Sequence, residues 1–242
     1  TRKESSAASD VYKRQVYDLD ANHSVYISYT DIFKPQNDRG LDKKPLEPMV
    51  GENYEVGIKG EYYDGALNAS LALFQIDQKN RAQTLTGQLG CGSTPDSSCY
   101  EAAGLVRSRG IDLEIQGALS DDWQVAAGYT YTQTKYVSDA NAAREGEDFD
   151  RKKPRQLFKL STLYTLPGEL QRWRIGGDVY QQSRIRTSGG TGATAWKNQQ
   201  GSYTVVGLVA GYKASEQLDL QLNVNNLFDR NYYSRVPSSY YS

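Results

Sequence analysis

The chain has 242 residues, of which 38% are hydrophobic and 24% charged, and its formal net charge is −1 at pH 7. A chain of this length forms one large all-β domain or two small domains, and its near-neutral charge argues against a nucleic-acid partner. No run of about 18 apolar residues is present, which excludes a membrane-spanning helix but not a spanning barrel, whose strands show only alternation.

The first fifteen residues, TRKESSAASDVYKRQ, differ in character from the rest of the chain. They contain no apolar core of the kind that a secretory signal peptide has. They resemble the translation of a sequencing-library adapter. We therefore expect residues 1–15 to be foreign or artefactual and disordered, and we treat residues 16–242 as the protein proper.

Alternation of apolar and polar residues is the dominant pattern from residue 24 onward. In residues 52–63, Tyr54, Val56 and Ile58 alternate with Glu55 and Lys59, as in a strand with two unlike faces. About nine such strands are predicted. They are residues 24–32, 52–63, 66–79, 109–119, 123–136, 156–166, 172–185, 203–213 and 217–228. In the third strand Phe74 and Ile76 break the phase, which predicts a bulge or a less strictly polar second face.

The connections between these strands alternate between short and long. The short turns lie near Asp64, Asp121, Gly168 and Ser215. The long connections cover residues 33–50, 80–106, 137–154 and 186–202. Short turns at one end of the sheet and long loops at the other are typical of an outer-membrane barrel, whereas a compact soluble domain has few loops of this length.

The two faces and the aromatic residues favour the same fold. Charged and amide side chains on the second face suit the lining of a polar lumen. Trp123 and Trp173 follow short turns, and Tyr129, Tyr131 and Tyr136 lie further along one strand, as in the aromatic girdles of a barrel. Each of these aromatics taken alone is more often an ordinary sheet residue. An antiparallel transmembrane barrel fits the whole set.

Cys91 and Cys99 are the only cysteines, and both lie in a segment rich in Gly, Ser and Pro. That composition is unsuited to the interior of a strand. In an oxidising compartment such a pair forms a short disulfide, while the alternative is two free thiols. The single histidine, His23, is far away in sequence, so a zinc site is not expected.

Four segments resemble the C-terminal barrel of TonB-dependent outer-membrane siderophore receptors. They are YISYTDIFKPQ (26–36), residues 52–77, residues 108–132 and LQLNVNNLFDRNYY (220–233). The resemblance implies a barrel of about 22 strands closed around an N-terminal plug. With about nine strands, no plug and no closing strand after Tyr241, we expect residues 16–242 to be an internal fragment of such a barrel.

The expected function follows from the resemblance. It implies a receptor that binds a ferric siderophore and imports it with energy from the TonB–ExbB–ExbD complex, acting through the plug. The other expected partner is outer-membrane lipid. Haem, cobalamin or a sugar are alternative ligands within the family. A passive porin-like barrel and a soluble all-β ligand-binding module remain as alternative functions.

No catalytic group stands out, so no enzymatic activity and no cofactor are expected. Asp112 and Glu114 share a face, but lumen lining explains them without acid–base chemistry. The Gly-rich residues 188–192 lack the Lys and the following helix of a phosphate loop. The acidic run at residues 145–150 is interpreted as a solvated loop, and no metal site is expected.

Loop aromatics and arginines are the candidates for ligand contact. Ferric siderophores present planar, carbonyl-rich and often anionic surfaces, which suit aromatic stacking and guanidinium hydrogen bonds. Any one of these residues alone is more often a plain loop residue. The candidates are Trp196, Tyr100, Tyr136, Arg184 and Arg186.

Overall fold

Twelve antiparallel strands carry almost all of the regular structure. The computed structural model describes residues 12–149, 151–189 and 195–237, apart from the side chain of Thr86. The strands are Tyr12–Asp18 (β1), His23–Lys34 (β2), Met49–Tyr62 (β3), Leu67–Leu89 (β4), Ser98–Ser120 (β5), Trp123–Ser138 (β6), Gln156–Thr165 (β7), Trp173–Gln182 (β8), Ile185–Gly189 (β9), Trp196–Gln200 (β10), Tyr203–Lys213 (β11) and Asp219–Val224 (β12). Ten of them form one sheet in the order β1-β2-β3-β4-β5-β6-β7-β8-β11-β12, and β9 pairs with β10 in a separate hairpin.

Helical structure is limited to two short turns in the described part of the chain. They are the 3₁₀ helices Ala142–Arg144 and Gly168–Leu170. No helix among the described residues is long and apolar enough to cross a membrane. The all-β class and the antiparallel up-and-down order predicted from the sequence are confirmed.

One face of the ten-stranded sheet, the apolar face, is left uncovered. Register places Val56 beside Leu73, and Leu73 beside Ile111, so apolar side chains continue from strand to strand. Leu73 is 50% exposed and Leu222 in β12 is 65% exposed. A soluble sheet hides such a surface in its core, whereas a barrel presents it to lipid. This exposure favours the membrane barrel over the soluble module.

The opposite face, the polar face, carries hydrogen-bonded and charged side chains. The Tyr26 hydroxyl donates to Glu55 at 2.5 Å, and the Thr130 hydroxyl donates to Asp112 at 2.7 Å. Phe74 lies on this face over Gly110, where an added Cβ would come within 2.4 Å of the Phe74 ring. Pairing is continuous past Phe74, so the predicted bulge is absent there and the second face is simply less polar.

Aromatic residues lie at both ends of the apolar face. At the end with the short turns, the turn end, the Trp173 and Tyr212 rings are 4.5 Å apart and the Trp123 and Tyr164 rings are 6.1 Å apart. Towards the other end, the loop end, Tyr29 packs against Tyr54 on the neighbouring strand. Amphipathic rings at two levels of a sheet are the arrangement of interfacial girdles. Tyr136 is not part of them, because strand alternation places it on the polar face.

The predicted boundary at residue 15 falls inside a strand. Tyr12 pairs with Thr30 and Gln15 with Ile27, so residues 12–15 are ordered and the prediction of disorder is wrong for them. The backbone of an edge strand offers unpaired N–H and C=O groups to any extended segment, whatever its side chains. Residues 1–11 lie outside the described residues, and the foreign origin of the segment stays a prediction.

A fifth short turn, missed in the sequence, joins β1 to β2. The Asp20 carboxylate accepts hydrogen bonds from the backbone N–H groups of Asn22 and His23, each at 2.8 Å, and lies 2.9 Å from the His23 ring. The Asn22 bond, followed by the His23 ring, lowers the pKa of Asp20 below its usual 3.8. Ionised Asp20 therefore stabilises the turn fully at pH values above its usual pKa of 3.8. This stabilisation is lost as the pH falls through the lowered pKa and the carboxylate is protonated.

Two predicted long connections are wrong in part. Residues 80–106 are mostly strand: β4 runs to Leu89 and β5 starts at Ser98, so Cys99 lies within a strand. Residues 186–202 contain the β9–β10 hairpin. Both were missed because strands that project into water have two polar faces and no alternation.

The tip of the β4–β5 hairpin is closed by a disulfide between Cys91 and Cys99, whose Cα atoms are 5.0 Å apart. Inside it, the Gly90 N–H donates to the Ser97 carbonyl at 2.7 Å. The hairpin also contacts the β2–β3 loop, where the Tyr100 N–H donates to the Arg39 carbonyl at 3.0 Å. Cross-linking and this contact together fix the tip over the neighbouring loop.

Replacing both cysteines by serine is expected to loosen this tip. Closing a loop of this size removes about 2–3 kcal/mol of chain entropy from the open state. The free energy for opening the hairpin tip, measured by hydrogen exchange of the amides at residues 97–100, should fall by about that amount. Ser93→Ala, in the same exposed loop, is the control. Equal exchange in the double variant and the control would contradict the prediction.

Candidate functional site

A cavity of about 980 Å³ lies on the polar face at the loop end of the sheet. Its walls come from strands β2 to β7, from the loop between β6 and β7, and from the junction of β8 and β9. A volume of this order matches that of small-molecule sites. We refer to it as the basic cavity.

Cationic side chains dominate the lining of the basic cavity. Seven of the lining residues are Lys or Arg: Lys34, Arg81, Arg151, Lys153, Arg155, Arg184 and Arg186. Among the described lining residues, Asp148 is the only carboxylate. Because like charges gathered in one place repel one another, such a lining is stabilised by an anionic occupant.

Asp148 organises two of the arginines. Its carboxylate forms ion pairs with Arg155 and, at 3.6 Å, with Arg151. The Nε of Arg151 is shielded from solvent and has no hydrogen-bond partner among the described residues. Its nearest charged neighbour is the Asp148 carboxylate at 3.6 Å, so Asp148 offsets part of the cost of burying this donor.

Backbone hydrogen bonds place the β6–β7 loop over the cavity. The Phe149 N–H donates to the Thr134 carbonyl at 2.9 Å, which extends β6 pairing into the loop. The Arg186 N–H donates to the Arg151 carbonyl at 2.8 Å, which ties the loop to β9. Charged residues from three separate parts of the chain therefore meet at one site.

A second, smaller cavity of about 610 Å³ adjoins the basic cavity, and we call it the side cavity. Gln83, Tyr136, Asp139 and Arg144 are among its lining residues. The Tyr136 ring meets the Phe149 ring edge-on at 5.2 Å between centroids. Arg81 and Phe149 line both cavities.

The structure brings some of the predicted ligand residues together. Arg184 and Arg186 line the basic cavity, and Tyr136 lines the side cavity. Tyr100 pairs with Thr84 in the β4–β5 hairpin and lines neither cavity. Trp196 pairs with Gly189 in the β9–β10 hairpin, with its ring over that glycine, and also lines neither cavity. Whether any of the five contacts a ligand stays a prediction.

Sequence reasoning missed most of the cationic lining. One signal was visible: the run RKKPR at residues 151–155 directly follows the acidic run that was interpreted as a solvated loop. Arg81 gave no signal, because its place depends on an irregularity in the pairing of β4 with β5. Among the described residues, no group of three or more His, Cys, Asp or Glu side chains is arranged to hold a metal ion.

Comparison with known proteins places these features in context. The model of the family described as "TonB dependent receptor-like, beta-barrel" matches residues 14–227. The chain is 39% identical over 235 residues to the ferric-pyoverdine 358 receptor of Pseudomonas putida, covering 95% of this chain and 27% of that protein. It is 38% identical to the ferripyoverdine receptor of Pseudomonas aeruginosa, covering 93% of this chain and 27% of that protein.

Solved structures agree with the sequence relatives. The crystal structure of the Pseudomonas aeruginosa ferripyoverdine receptor bound to ferripyoverdine superposes with a TM-score of 0.83 at 36% identity, covering 93% of this chain and 30% of that one. The chain thus spans about a quarter of the length of the curated relatives it matches.

Proposed function

The chain belongs to the TonB-dependent receptor β-barrel family, and we propose that it forms part of a receptor that binds a ferric siderophore and imports it with energy relayed by TonB. Members of this family are outer-membrane barrels of Gram-negative bacteria, which gives the uncovered apolar face its lipid environment. In this proposal the protein binds and admits a ligand and catalyses no reaction.

The basic cavity is the observation that carries the proposal. Iron chelates with carboxylate, catecholate or hydroxamate groups present oxygen acceptors and often a net negative charge. Arginine donates to such oxygens in a planar, two-pronged geometry, and these charge-assisted hydrogen bonds are stronger than those between neutral groups. The cavity opens at the loop end of the sheet. In this family the long loops lie outside the cell, so an anionic chelate can enter the cavity from the extracellular side.

The names of the relatives indicate which kind of ferric siderophore the receptor binds. Two of them are named for ferric pyoverdine, and a solved relative holds ferripyoverdine. We therefore propose a ferric pyoverdine, a siderophore with oxygen ligands to iron, as the ligand. The TonB–ExbB–ExbD complex is the proposed energy source, engaged through a plug that lies in another part of the receptor.

Uptake of radiolabelled ferric pyoverdine tests the proposal. The full-length receptor is expressed in a strain that lacks its other pyoverdine receptors, with and without TonB. Uptake is expected in the first strain and should fall to the level of the receptor-free strain in the second, while binding at the cell surface persists. Uptake that is unchanged without TonB would favour a passive channel and overturn the proposal.

A further inference from the structure

Arg81 and Phe149 form the wall between the basic cavity and the side cavity. The guanidinium carbon of Arg81 lies 4.5 Å from the centroid of the Phe149 ring, within the range of a cation–π contact. Both side chains line both cavities. Removing either one therefore removes part of the boundary between them.

The position of Arg81 is built into the backbone. Pairing of β4 with β5 is interrupted between Gln78 and Arg81, where Asn80 takes a left-handed conformation with φ of 58°. Arg81 then pairs with Gly104, and its Nη1 donates to the Gln78 side chain at 3.2 Å. A β-bulge of this kind redirects a side chain from its strand, and here it directs Arg81 toward Phe149.

Gly104 leaves room for this arrangement. A Cβ added there would come within 2.4 Å of the Gln83 amide nitrogen and 3.3 Å of the Arg81 Cβ. Because Gly104 has no side chain, the side chains of Arg81 and Gln83 can pass over β5 at this position. Gln83 in turn reaches the β6–β7 loop, where its amide lies 3.4 Å from Asp139.

Phe149 is held from the opposite side. Its backbone N–H donates to the Thr134 carbonyl, and its ring meets the edge of Tyr136. The neighbouring Asp148 is fixed by its ion pairs with Arg151 and Arg155. The two halves of the wall thus come from separate elements, β4 and the β6–β7 loop, and the ring and the guanidinium meet between them.

The two cavities differ in their chemistry. In the side cavity Arg144 lies 3.8 Å from Asp139, so its charge is balanced locally. The Gln83 amide there is hydrogen-bonded to Asp139 and to the Ala140 N–H, and the Asn141 side-chain carbonyl accepts from the Ala143 N–H. The Asn141 side-chain NH₂ remains to donate to a neutral carbonyl or hydroxyl group. In the basic cavity, by contrast, cations outnumber carboxylates among the described lining residues. One cavity fits an anionic chelate and the other fits a neutral, amide- or hydroxyl-bearing arm.

We propose that the Arg81–Phe149 pair is a specificity-determining partition, which confines the ferric chelate to the basic cavity and excludes chelates whose neutral arm needs the side cavity. This inference rests on the proposed function, because it concerns which ferric siderophores that site accepts. Siderophores with short arms bind to the basic cavity alone. Those with long arms meet the partition and bind more weakly.

Two ferric pyoverdines of equal charge, one with a short and one with a long peptide arm, provide the test. Dissociation constants are measured on the full-length receptor for the wild type, Phe149→Ala and Phe149→Tyr. The ratio of the long-arm to the short-arm dissociation constant is expected to fall about tenfold in Phe149→Ala, since pocket shape typically discriminates on this scale. It should stay at the wild-type value in Phe149→Tyr, which keeps the ring.

Arg81→Met provides a second variant that keeps most of the side-chain volume but loses the cation. It should shift the ratio in the same direction as Phe149→Ala, by a smaller factor. A wild-type ratio in both Phe149→Ala and Arg81→Met overturns the partition and leaves the proposed function standing. A wild-type receptor that binds neither ferric pyoverdine overturns the proposed function instead.

Discussion

Lysine at positions 222 and 224 together is expected to prevent the receptor from assembling in the outer membrane. Leu222 pairs with Ala210 and Val224 with Leu208, and all four lie on the apolar face. Both positions lie further from the turn-end girdle than Leu220, which pairs with Tyr212. A lysine on the lipid face near the bilayer midplane costs about 2–4 kcal/mol. Two of them consume a large part of the 5–15 kcal/mol that typically stabilises a folded protein.

The polar face of the same strand supplies the control. Gln221 and Asn223 are hydrogen-bonded to each other at 3.0 Å and face away from the lipid. Lysine at these two positions adds the same charge to the same strand, but in a polar environment. The amount of heat-modifiable, folded receptor in outer-membrane fractions should fall sharply for Leu222→Lys with Val224→Lys, and should stay near wild type for Gln221→Lys with Asn223→Lys. Equal levels of folded receptor for the two pairs would contradict the assignment of the faces.

This contrast between faces is also what made the fold predictable. The alternation of Leu220, Leu222 and Val224 with Gln221 and Asn223 reflects a physical requirement, because lipid and lumen select opposite side chains at successive residues. The same requirement acts on every strand within the membrane, so the predicted strands and short turns are confirmed there. The resemblance to TonB-dependent receptors drawn from the sequence is also confirmed.

The strand prediction failed outside the membrane, where successive side chains no longer have to alternate between lipid and lumen. Beyond Gln78 in β4 and before Val106 in β5 neither face has to be apolar to meet lipid, so no alternation marks the strands. The disulfide tip lies in this region, and the β9–β10 hairpin is a second segment without alternation. Propensity and composition alone predict loops there, and backbone pairing prevails over them.

The basic cavity was only partly visible in the sequence for a related reason. Arg184 and Arg186 were chosen as loop arginines with suitable donors. Their neighbours in space, Arg81 and Arg151, are far from them in the chain, and only the register of β4 to β8 brings them together. A sequence pattern describes a strand's faces, but it does not specify which loop residues meet above the sheet.

Replacing Arg151 and Arg155 together by glutamine is expected to weaken binding of ferric pyoverdine by at least about a hundredfold. A hydrogen bond to a charged group contributes about 1.5–3 kcal/mol, and two such donors are lost. Asp148 then loses both of its ion-pair partners in the described structure, so its carboxylate repels an anionic ligand. Glutamine keeps a polar side chain of similar reach, which limits the change to charge and donor geometry.

Arg172→Gln is the matched control, because Arg172 is an exposed cation at the turn end, on the opposite side of the membrane from the cavity. Dissociation constants for ferric pyoverdine, measured on the purified full-length receptor at low and at physiological salt, should be unchanged by Arg172→Gln. In the double variant the salt dependence of binding should also be smaller than in the wild type, because fewer charges attract the ligand. If the double variant binds as tightly as the control at both salt concentrations, the basic cavity is not the ligand site. The membrane assignment of the sheet would still stand, because it is tested separately by the lysine variants of β12.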